Sequence, residues 1–155
     1  MINTLLNKTM SAAAIGPLGA AHPDVRKTTL CVCAANSDPA IDAIETWVDD
    51  NVGHVADPTT AETVLSPIAM IEDIFRDGSA IGDVDDRAVL VAAMGRSIGL
   101  DAQFVLVRFE KRRFATHVFT RLKRPEDEWA KDPVAGKPFA GQVAEWAAVD
   151  VKAVP

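Results

Sequence analysis

The hydrophobic positions fall into two spacings along the chain. Ile41, Ile44 and Val48 recur at intervals of three and four, as do Ile68, Ile71, Ile74 and Phe75, so both stretches predict amphipathic helices. Trp47 borders the first stripe. Ser37 or Asp38 precedes the first helix with Pro39 in its opening turn, and Ser66-Pro67 opens the second in the same way. Gly53 and Gly78 read as their stops. Asp83 reads as the cap of a third helix, with Asp85 and Asp86 where the helix dipole favours acids, and Gly99 ends it. That third helix carries Ala88, Val89, Val91, Ala92 and Met94, apolar nearly all round, which predicts a central, buried position.

A second pattern, alternating and rich in β-branched residues, predicts strands. Residues 25–35 (VRKTTLCVCAA) read as one, 102–109 (AQFVLVRF) as another, and 114–122 (FATHVFTRL) as its return after the charged turn 110–113. Residues 128–131 predict a short further strand and 146–151 a last one. Helices followed by an antiparallel sheet make an α+β fold. The expected division is an N-terminal arm over 1–24, a domain over 25–136, and a C-terminal extension over 137–155 with room for that last strand. The Gly/Ala/Pro-rich arm has no clear periodicity and is expected to fray unless held. Its apolar stretch is broken by Gly16-Pro17 and its basic residue, Lys8, comes late, so it is not read as a secretory leader.

Composition narrows the classes of function. The 155 residues are 48% hydrophobic and 25% charged, enough apolar content for one core. A net charge of -6 argues against a general nucleic-acid binder, and no apolar run is long enough to span a membrane. The two cysteines, Cys31 and Cys33, cannot frame a disulfide scaffold. Read on one strand they point the same way, and they lack the second pair a zinc site needs.

Several residues have chemistry to offer. Asp83, Asp85 and Asp86 could join His117 and Asp132 around a hard cation, but helix capping accounts for the same acids without one, and no metal or cofactor is expected. His22 and His54 read as surface residues, Lys111-Arg112-Arg113 as a solvated hairpin tip, and Trp129 and Trp146 as sheet core.

The run Gly82-Asp83-Val84-Asp85-Asp86-Arg87-Ala88-Val89-Leu90, followed by Ala92-Ala93 and Ser97-Ile98-Gly99, resembles the "GDCDD…L…AA…SIG" signature of the transglutaminase-like superfamily. His117-Val118 resembles that family's "HV" strand, and residues 129–133 (WAKDP) its "W…DP" strand end. Trp47-Val48 and residues 62–67 resemble the segment upstream of the signature. The resemblance covers residues 40–136 and implies a papain-like fold, with a nucleophile at the start of the central helix, a histidine on a strand and an aspartate that orients it. It places the nucleophile at Val84 and the other two members at His117 and Asp132.

Valine carries no nucleophile, and losing one from a working triad costs on the order of a millionfold in turnover. Neither Ser79, in the preceding loop, nor Thr116, on the opposite strand face from His117, replaces it. The resemblance therefore implies no catalytic residue, with Val84, His117 and Asp132 as vestigial triad positions. The "GDCDD" form is similar to one carried by tailed-bacteriophage genomes among virion genes. It implies a non-catalytic structural or assembly protein of a virion, made in the host cytoplasm. Its expected partners are other virion proteins and copies of itself, with no direct nucleic-acid reading and no membrane. The alternative is a hydrolase or acyltransferase of altered chemistry using His117 and Asp132. A third reading is a module whose vacant cleft holds a peptide segment.

Overall fold

The computed structural model describes residues 4–35, 39–55, 64–113, 115, 117–139 and 141–152. The described residues form five helices, one of them central, and a three-stranded antiparallel sheet that covers one side. The architecture is α+β, as the two hydrophobic spacings predict.

The N-terminal arm is part of the domain. Residues 4–15 form helix α1 (Thr4–Ile15), in which Met10 is 1% exposed and Ala14 fully buried against the central helix. The chain then doubles back on itself. The Ala20 amide donates to the Ala14 carbonyl at 2.7 Å, and the Ile68 amide donates to the Leu18 carbonyl at 3.0 Å. A Cβ at Gly19 would lie 2.2 Å from the Ala13 carbonyl oxygen, so glycine is required for this close return. In place of the expected fraying, Met10, Ser11 and Ala14 of this weakly patterned helix are buried and α1 packs on the central helix.

Residues 25–35 are a helix and not the expected strand. Helix α2 (Pro23–Ala34) starts with Pro23 in its first turn and with His22 as its cap, whose Nδ1 accepts the Asp24 amide at 3.0 Å. Val25, Thr28, Thr29 and Val32 are buried, an i, i+3, i+4, i+7 stripe that faces the central helix. The Thr29 hydroxyl donates to the Val25 carbonyl, which satisfies it inside the helix. Burial along this stripe overrides the strand preference of the β-branched residues. Cys31 and Cys33 therefore lie on different helix faces, the first exposed and the second partly buried, and both are free thiols.

Helix α3 (Ala40–Asn51) follows Pro39, which occupies the cap position itself. The alternative caps, Ser37 and Asp38, lie outside the described residues. Gly53 does not end this helix. It sits in strand β1 (Val52–His54), which pairs in parallel with strand β2 (Ala80–Gly82). Helix α4 (Pro67–Asp77) is capped by Ser66, whose Oγ accepts the Ala69 amide. It stops at Gly78 in a left-handed conformation (φ 86°), as the sequence predicts.

Helix α5 (Val84–Ser97) is the centre of the molecule. It contacts all four other helices together with the sheet, and residues 88–95 are buried on every side. Gly95 permits a close approach of the sheet: a Cβ there would lie 2.5 Å from Leu122 Cδ2. Strand β3 (Asp101–Phe109) lies between β4 (His117–Lys123) and β5 (Val143–Asp150). In β4, Val118, Thr120 and Leu122 are buried and alternate with half-exposed His117, Phe119 and Arg121. The Thr120 hydroxyl donates to the Ala88 carbonyl, pinning the sheet to α5. The last strand forms as expected but starts earlier, at Val143. Residues 128–131 form no strand, and Trp129 instead lies beneath two cations, with Arg121 Cζ 4.7 Å and Lys123 Nζ 5.2 Å from its ring centre. Trp146 is on an exposed edge strand and is not core.

Candidate functional site

The first turn of α5 is built from its own carboxylates. Asp83 Oδ1 accepts the Asp86 amide at 2.9 Å, and Asp86 Oδ2 accepts the Asp83 amide at 3.1 Å, a reciprocal capping box. Asp86 Oδ1 also accepts the Leu65 amide at 2.8 Å, which ties the entry of α4 to the start of α5. These two acids are engaged in helix capping. Among the described residues no three His, Cys, Asp or Glu side chains converge as a metal site would require.

This construction places Val84, the first residue of α5, at the wall of a cavity of about 340 Å³. The same cavity is lined by His117 and Phe119 from β4, by Glu45, Val48 and Asp49 from α3, and by His54, Arg87 and Lys137. Val84 and His117, two of the three positions singled out in the sequence, are thus brought together. Asp132 is not among the lining residues. Its carboxylate is exposed and accepts the Val134 amide at 3.0 Å in a local turn. Ser79 is exposed outside the cavity, and Thr116 lies outside the described residues.

The surroundings of His117 are aromatic and cationic. Its ring packs edge-on against Phe139 with centroids 5.5 Å apart and lies 6.2 Å from Phe119, while Phe139 also meets Phe109. Burial lowers the proton affinity of the imidazole below its ordinary value, and the charges of Lys137, Arg87 and His54 lower it further. The Lys137 ammonium lies 4.1 Å from the Phe119 ring centre. On the opposite wall, burial raises the Glu45 carboxyl above its usual range, against the pull of Lys137. Arg87 is held by Asp49 and by the Val52 carbonyl.

Sequence reasoning missed four of these residues. Glu45 sits one position from the apolar stripe of α3, and Arg87 one turn into α5. His54 reads as a surface residue and is exposed, yet it borders the cavity. Lys137 falls in the segment expected to be an extension. Only the helical position of Arg87, three residues after Val84 and so on a neighbouring face, was available from spacing.

An α+β domain with a central helix opening on a strand histidine defines the class. The sequence profile of the transglutaminase-like superfamily matches residues 31–131, and the chain belongs to that superfamily. Neither a curated protein nor a solved structure matches the chain.

Proposed function

We propose that this domain is a catalytically silent member of its superfamily, of the phage-borne "GDCDD" type. On this reading Val84 replaces the cysteine, and the protein works as an assembly component of a tailed-bacteriophage virion. The observation that carries the proposal is the aliphatic Val84 side chain lining the same cavity as His117. A side chain with no ionisable or nucleophilic atom cannot attack an acyl carbon, and loss of the nucleophile alone lowers turnover on the order of a millionfold. Thr120, which also lines the cavity, has its hydroxyl committed to the Ala88 carbonyl. The environment of His117 supports the same reading, because its burial and the charges of Lys137, Arg87 and His54 disfavour the imidazolium that acyl transfer needs. The virion assignment rests on the Gly82 to Asp86 run.

The competing reading, an altered hydrolase or acyltransferase using His117 and Asp132, requires Asp132 to leave the Val134 amide and approach the imidazole. One assay separates the two: incubation with glutamine peptides and amine acceptors, and with activated esters, alongside His117→Ala. The expected result is no turnover above buffer in either protein. Turnover that vanishes in His117→Ala overturns the silent-site reading. For the assembly role, particles purified from infected cells are expected to contain the chain. Its absence from particles, and from complexes with co-encoded structural proteins, overturns that part.

A further inference from the structure

A second depression, of about 720 Å³, runs between α2 and α4 and shares no lining residue with the cleft. Its floor is Ile68 and Ile71, and one rim carries Phe75, which is 72% exposed. A phenyl ring this exposed beside an apolar floor leaves a large area of hydrocarbon in water. We propose that this groove is a homodimer contact, in which α4 of one protomer lies antiparallel to α4 of a second copy of the same chain.

The charges in the groove select this occupant. The chain as a whole is at -6, so two copies repel except where charge cancels. Among the described residues the groove carries Asp24 and Lys27 from α2, and Glu72 and Arg76 from α4, two acids and two bases. Such a neutral lining offers nothing to nucleic acid or an anionic membrane. It is also self-complementary. Glu72 and Arg76 are one turn apart on the face that bears Ile68, Ile71 and Phe75. A two-fold axis at the level of Ile74 sets Glu72 of each protomer against Arg76 of the partner subunit, with Phe75 close to the axis. Arg76 now pairs with Asp73 and Asp77 at the surface, an exposed arrangement that is readily exchanged.

This inference rests on the proposed assembly role, for which it names a second copy of the chain as partner, and is independent of whether the cleft is silent. The test is sedimentation velocity on the full chain from about 1 µM to about 1 mM, the range in which weak homodimers dissociate. A concentration-dependent dimer is expected. Phe75→Glu, at a position too exposed to support the fold, should weaken it at least about tenfold. Glu72→Arg and Arg76→Glu should each weaken it, and the double reversal should restore it, because the two-fold pairs are rebuilt with signs exchanged. Cys31 lines the groove, so its maleimide labelling should slow as the dimer forms.

A chain that remains monomeric throughout overturns the contact, as does a dimer unaffected by Phe75→Glu or one that the double reversal fails to rescue. Capture of a different protein by the same groove with no dimer also overturns it. None of these outcomes bears on catalysis, and turnover in the cleft would leave the dimer standing.

Discussion

Replacing Asp86 by alanine tests the construction of the cleft. Asp86 is 2% exposed and its carboxylate accepts two amides, from Leu65 at 2.8 Å and from Asp83 at 3.1 Å. Alanine strands both donors in a place where Gly82 already packs so close that a Cβ would lie 2.8 Å from that of Asp86. A hydrogen bond to a charged group contributes about 1.5–3 kcal/mol, so two give roughly 3–6 kcal/mol. Leu65 itself is on the surface, and water entering there recovers part of its bond. The expected cost is therefore about 3 kcal/mol, near the lower end of that range.

Asp86→Asn separates the two bonds. Its carbonyl oxygen can still accept the Leu65 amide, whereas its amino group meets the Asp83 N–H as donor against donor. A cost of about 1.5–3 kcal/mol is expected, that of one lost bond to a charged group. Urea unfolding followed by tryptophan fluorescence measures both values, and hydrogen exchange at the Leu65 and Asp83 amides reports which bond has gone. An alanine variant destabilised by less than about 1 kcal/mol would refute the argument that Asp86 joins α4 to α5. Unchanged exchange at Leu65 in that variant would refute the long-range bond specifically.

Two further outcomes follow from other contacts of the fold. Because the folded protein holds His117 below its ordinary proton affinity, the unfolded chain takes up that proton first as pH falls through about 6.5, and stability should decline toward pH 5. His117→Gln should remove this component in paired urea titrations at pH 7.5 and pH 5, and an imidazole that titrates by NMR at or above its ordinary value would contradict it. Gly95→Ala should destabilise the fold by about 1–2 kcal/mol, because overpacking against Leu122 outweighs the roughly 1 kcal/mol gained in helix propensity. In a Leu122→Ala background the same change should become stabilising, and a cycle showing no coupling would refute the close approach.

What could be read from the residues was whatever is decided within a turn or two of the chain. The Ser66-Pro67 cap, the Gly78 stop, the Asp83 cap and the all-round apolar α5 depend on neighbours three or four positions away, and each is found where expected. The β3–β4 hairpin has the same local origin, through alternation about a charged turn. The failures are tertiary. In α2, Thr28, Thr29 and Val32 favour a strand by type and a helix by spacing, and only the presence of α5 beside them decides. The alanine-rich α1 carries little pattern of its own and is ordered by what it packs on. The candidate site divides in the same way: Val84 and His117 come from the resemblance, while the approach of Lys137 depends on how the loop after β4 returns and that of Glu45 on how α3 packs against α5.

The field in the cleft argues further about what replacing one side chain can do. Val84→Cys would put a thiol at a helix N-terminus near Lys137, Arg87 and His117, and cations favour the thiolate. That thiol should alkylate faster at neutral pH than the exposed Cys31. Acyl transfer asks for more, since the imidazole must take a proton and hold it through the tetrahedral stage, with a carboxylate to stabilise its charge. Here the groups acting on His117 are Lys137, Arg87 and His54, and Asp132 is turned to the Val134 amide. A reactive sulfur without turnover is the expected behaviour of Val84→Cys. On the proposed reading, the silence of the pocket is then a property of its charge arrangement as well as of its missing nucleophile.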